Sequence, residues 1–130
     1  VIIYLTDSIT PYNTLSALLF EVIEKGETTA VISIISVAEI MRGPLKNNLI
    51  QNAKDVKKYL MNFPNISCQN ITGDVLASMD EHPDIDWPSL RTIDSVIIAS
   101  GLLNNVDLVV SNDFHFKKAL PKEFILTFDK

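Results

Sequence analysis

The chain has 130 residues, 47% hydrophobic and 21% charged, with a net charge of −5. That size suits one domain with one core, and the composition excludes a disordered polymer. The acid excess argues against a broad phosphate-coating face, and no apolar run is long enough to span a bilayer. By periodicity alone, residues 1–5 (Val-Ile-Ile-Tyr-Leu) read as a strand. Residues 14–25 carry Leu15, Leu18, Leu19, Val22 and Ile23 at helical spacing, and Gly26 is the expected stop. Residues 28–35 are rich in β-branched side chains and predict a strand. A short helix should follow from Ser36, broken by Gly43-Pro44. Leu49, Ala53, Val56 and Leu60 mark a helix over 48–63, ended by Pro64. Residues 65–69 suit a short strand, and Thr72 can cap a helix reaching about Glu81. The stretch 81–89, with Pro83 and Pro88 among three acids, reads as an exposed loop that Trp87 packs onto the domain. Then come a helix over 92–104, a strand over 107–111 and a last strand over 124–128. Two lysine groups, Lys54, Lys57 and Lys58, then Lys117, Lys118 and Lys122, read as solvated faces. Cys68 is the lone cysteine and has no partner at ligand spacing, so it should be a half-buried structural thiol. With no secretory signal in view, a cytoplasmic location is the expectation.

Strands alternating with helices imply an α/β fold: a parallel sheet with helices on both faces, whose sites form outside the carboxyl ends of the strands. Three acids fall where such a site would form. Asp94 sits in the first turn of an otherwise apolar helix, Asp113 just past a buried strand, and Glu39 soon after the apolar run 30–35. Each has an ordinary explanation: Ser36-x-x-Glu39 matches a capping box, Asp94 suits a helix dipole, and Asp113 suits a turn. Their joint placement favours a carboxylate cluster instead. Two carboxylates about 5 Å apart repel by about 3 kcal/mol at an effective dielectric near 20, so a cluster needs a cation. Magnesium takes such oxygen ligands and needs only one or two direct carboxylates. Ser111 and Asn112, next to Asp113, are candidates to hold a phosphate oxygen or a carboxylate, beside their plainer role of shaping the turn. Other chemistries lack their residues. His82 and His115 have no zinc spacing, there is no glycine-rich phosphate loop, and no nucleophile elbow is present.

Leu90-x-x-x-Asp94-x-x-Ile97-x-Ala99, followed by Val109-Val110-Ser111-Asn112-Asp113-x-x-Phe116, resembles the C-terminal half of a PIN domain. Residues 31–39, with Ser33 ahead of a short apolar segment bearing Glu39, resemble its middle motif. The resemblance covers nearly the whole chain. It implies a three-layer α/β/α sandwich around a central parallel sheet. It implies a Mg²⁺- or Mn²⁺-dependent endoribonuclease that leaves a 5′-phosphate and a 3′-hydroxyl. Glu39, Asp94 and Asp113 then stand for three of the family's catalytic, metal-holding acids. It further implies a VapC-type toxin acting on RNA, pairing as a homodimer and restrained by an antitoxin protein, with no membrane involved. The family's remaining acid closes its first strand. In one register residues 1–5 are that strand, and Asp7 stands for the acid as a metal ligand. In the other, residues 2–5 are the helical segment that follows the strand, so strand and acid would precede Val1 and the chain would be N-terminally incomplete. Spacing to Tyr12, Gly26 and Glu39 favours the second. Two rivals remain: a catalytically inactive PIN-fold module that binds protein, and a receiver-like domain. The latter should show an acidic pair closing its first strand and a late lysine after a strand, and neither is evident.

Overall fold

A computed structural model describes residues 2–3, 12–111 and 114–126. Five strands form one sheet in the order β3-β2-β1-β4-β5, every neighbouring pair parallel. They are β1 (Ile2–Ile3), β2 (Ala30–Ser33), β3 (Ile66–Gln69), β4 (Val109–Val110) and β5 (Ile125–Leu126). The helices are α1 (Tyr12–Glu24), α2 (Ile34–Lys46), α3 (Ile50–Met61), α4 (Gly73–Asp80), α5 (Thr92–Leu103) and α6 (Phe114–Ala119). The architecture is the expected three-layer α/β/α sandwich. Ile2 pairs with Val31 on one side and Val109 on the other, so β1 is central. The register that makes residues 2–5 helical therefore does not describe Ile2 and Ile3. Two β-branched residues between β-branched strands take the pleated conformation they favour.

The sheet residues Ala30 and Ile32 meet α1 and α3: Ala30 packs with Ile23 and Phe63, and Ile32 with Val37 and Leu60. The strip of α5 from Asp94 to Gly101 is buried all round. Its Ile97 and Ile98 join Val109 and Phe116, while Val96 and Ala99 join Val75 of α4. A helix buried on every side shows no amphipathic stripe, which is why this one reads as simply apolar. Trp87 does pin the 81–89 loop to the core: it packs beside both α5 clusters and donates Nε1–H to the His82 carbonyl at 3.0 Å. Gly26 ends α1 at φ +79°, a conformation that costs glycine nothing.

Three boundaries differ from expectation. First, α2 begins at Ile34 rather than Ser36, because Ser33 Oγ accepts from the Ile35 N–H at 3.2 Å and caps it. Second, Gly43-Pro44 does not break α2, which continues to Lys46. A residue before proline is normally pushed out of helical geometry by its Cβ, and Gly43 has none. Third, α6 lies where no helix was expected; six residues are too few to show a period. The last strand is described only to Leu126.

Candidate functional site

In a parallel sheet a crossover helix runs from the carboxyl edge back to the amino edge, so a helix leaving a strand and a helix leading into one both start at the carboxyl edge. α2 leaves β2, and α5 leads into β4. The two helices pack on each other, and α5 also packs on β2. This brings the first turn of α5 and the early turns of α2 to one edge of the sheet.

Asp94 is the third residue of α5 and is 0% exposed. A buried carboxylate is costly unless it is paired. Its partner is Arg91, whose Nε donates to Oδ2 at 2.9 Å and whose Nη2 donates to Oδ1 at 3.0 Å. The Arg91 side chain is itself 63% exposed, so it covers Asp94 from the solvent side. An acid serving only the helix dipole would stay in water, so burial argues against that plainer role. Each oxygen of Asp94 accepts one N–H and retains a second lone pair.

Glu39 is the sixth residue of α2 and half-buried. The helix is capped by Ser33, so the pair Ser36-x-x-Glu39 is not a capping box. Ser36 Oγ, one turn before Glu39, is buried and has no hydrogen-bond partner among the described residues. Glu39 also lines a cleft of about 650 Å³ with Arg42, Gly43, Leu45 and Lys46.

Ser111 follows β4 directly and is 2% exposed. Asn112, Asp113 and Asp7 lie outside the described residues. Among the described residues no three acids, histidines or cysteines form a group able to hold a metal, and of the expected acids the structure describes Glu39 and Asp94, on two helices that pack together. By donor type, the carboxylates on these two packed helices and the Ser36 hydroxyl, buried with no partner among the described residues, suit a hard divalent cation. Elsewhere, burial pushes the Cys68 thiol above its usual 9.0, as a structural thiol should behave. His82 Nδ1 lies 2.8 Å from the Ser78 carbonyl, a local helix contact. Sequence reasoning missed Arg91. Its only signal was a spacing of three residues from Asp94, across a helix start where that spacing carries little weight.

Among the described residues no helix is long and apolar enough to cross a membrane. Two solved structures share the fold. One is the VapBC2 complex of Rickettsia felis bound to a DNA fragment from its promoter, with a TM-score of 0.60 and 20% identity, covering 91% of this chain and 84% of that one. The other is a toxin–antitoxin complex from Klebsiella pneumoniae, with a TM-score of 0.57 and 17% identity, covering 97% of this chain and 95% of that one. No curated protein matches the chain. At such identities structural likeness speaks for the fold alone. The defining pattern of the PIN domain, however, matches residues 1–119, a span that holds Glu39, Asp94 and the strand after them. On that match the chain belongs to the PIN domain family.

Proposed function

We propose that this protein is a divalent-metal-dependent endoribonuclease, the toxin of a toxin–antitoxin pair. The observation that carries the reading is the fully buried Asp94 carboxylate, held on a helix that packs against the helix bearing Glu39. In open α/β sheets the crevice outside the carboxyl ends of the strands is where ligands bind, and a buried acid at that edge is placed to meet one. Asp94 and Asp113 are the proposed ligands of Mg²⁺ or Mn²⁺, and Asp7 is a further candidate. When bound, such an ion activates water and offsets the phosphodiester's charge. Glu39 would orient the attacking water or take its proton. Ser111 and Asn112 are proposed to hold a phosphate oxygen or to brace Asp113.

The solved neighbours are toxin–antitoxin complexes, which supports an antitoxin protein as partner. Leu45, Leu49 and Ile50, around the turn from α2 to α3, are 46%, 48% and 59% exposed and could meet such a protein or a second copy of this chain. The test is cleavage of single-stranded and structured RNA with Mg²⁺, with Mn²⁺ and with EDTA. We expect 5′-phosphorylated fragments that vanish in EDTA and fall at least a hundredfold in Asp94→Asn. Cleavage indifferent to both would remove the mechanism.

A further inference from the structure

The net charge of −5 makes a local run of cations notable, and one such run adjoins the candidate site. Glu39, Arg42, Gly43 and Lys46 follow one another at helical spacing along a single stripe of α2, and all four line the 650 Å³ cleft. Arg42 and Lys46 are both exposed, and neither forms a salt bridge among the described residues. Lys46 lies in the last turn, where a cation suits the helix dipole in any case. Arg42 lies a turn earlier, and that explanation does not reach it. A different cleft, of about 390 Å³, has the opposite balance: two acids, Glu24 and Asp55, share its lining with one cation, Lys58, whereas here two cations share the lining with one acid, Glu39. Gly43 contributes to the opening of the larger cleft. A Cβ placed there would meet nothing within 4 Å, so the space beside the two cations is empty of protein among the described residues.

We infer that Arg42 and Lys46 form a binding track for the RNA backbone, each taking a phosphate next to the one presented to Glu39 and Asp94. The inference rests on the ribonuclease reading and deepens it. The two residues stand about 6 Å apart along the helix axis. Their long side chains can therefore serve neighbouring phosphates of one strand. Arg42 offers a planar fork for two phosphate oxygens, and Lys46 offers a mobile point charge. Backbone contacts carry no base information, so this track sets affinity and direction of entry rather than sequence choice.

The experiment measures binding of a single-stranded RNA oligonucleotide in EDTA, from roughly 50 to 200 mM salt. It compares the intact protein with Arg42→Gln/Lys46→Gln, and with Lys54→Gln/Lys57→Gln, which removes the same charge from exposed positions on α3. Glutamine keeps helix propensity, and thermal melts confirm that both variants fold. The first pair should weaken binding about tenfold and lower the slope of log K against log salt by about 1.4, or 0.7 per lost phosphate contact. It should raise KM more than it lowers kcat with Mg²⁺ present. The control pair should stay within about twofold. Equal losses in both pairs would mean diffuse attraction and would overturn the track. So would an unchanged slope, or a loss confined to binding of a protein partner. If the intact protein neither binds nor cleaves RNA, the ribonuclease reading falls and takes the track with it. If it does both and the Arg42/Lys46 pair is silent, only the track falls.

Discussion

In the proposed chemistry Asp94 is held from two directions: by the Arg91 guanidinium in the protein alone, and by a metal ion during turnover. Arg91→Met keeps most of the aliphatic stem and removes the donors. With both Asp94 oxygens then short of a partner in a buried site, the metal-free protein should lose about 1–3 kcal/mol. The guanidinium is also a like charge beside any cation on Asp94, so its removal should strengthen metal binding. Urea melts of both proteins in EDTA and in Mn²⁺ check this: a lower midpoint in EDTA, with a larger rise on adding Mn²⁺. Identical melts in EDTA would show that Asp94 does not depend on Arg91. At this scale the acid was legible and its partner was not. An acid in the first turn of an apolar helix stands out in a sequence, whereas Arg91 is the extended residue just before the helix and reaches forward to its first turn.

The helix α2 joins the fold to the site, because its start fixes which face Glu39 occupies. Ile34 and Ile35 look like strand by their β-branched side chains, yet they are the first two residues of the helix. Local propensity lost to one hydrogen bond from the Ile35 N–H to Ser33 Oγ and to packing of Val37 on Ile32 and Leu60. Two serines three residues apart therefore have different duties, although the sequence suggests the second as the cap. Ser33→Ala removes the cap and should cost about 1 kcal/mol. Ser36→Ala deletes a buried hydroxyl with no partner among the described residues, so the fold should change by less than about 0.5 kcal/mol. If Ser36 faces the bound substrate or ion, cleavage should nonetheless drop in the second variant. Chemical denaturation of both, read beside an RNA cleavage assay, separates the two duties. A large stability loss in Ser36→Ala alone would reverse the assignment. Pro44 gives the same lesson about context: the turn signal Gly-Pro was visible, but the glycine that announces it also lets the helix pass through.

For the molecule as a whole, alternation of strands and helices was enough to expect a parallel sheet, since parallel strands need a crossover connection and a helix is its usual form. The sheet order was not legible, because no sequence period records which strands become neighbours. The order places β1 between β2 and β4, so the strands leading to α2 and to Ser111 flank the same central strand. That topology packs α2 and α5, which bear Glu39 and Asp94, against each other, and in the proposed cluster the mutual repulsion of the acids would act against the fold until a cation offsets it. Metal should therefore stabilise the whole domain by RT ln(1 + [L]/Kd). At ten times Kd this is about 1.4 kcal/mol, on the order of 5 °C in melting temperature for a domain of this size. We expect Mg²⁺ or Mn²⁺ to raise the melting temperature of the intact protein by that much, EDTA to restore the lower value, and Asp94→Asn to abolish the rise. This readout needs neither a known RNA target nor an antitoxin. A melting curve unmoved by either ion at millimolar concentration would count against the cation-held cluster and in favour of an inactive protein-binding module of the same fold.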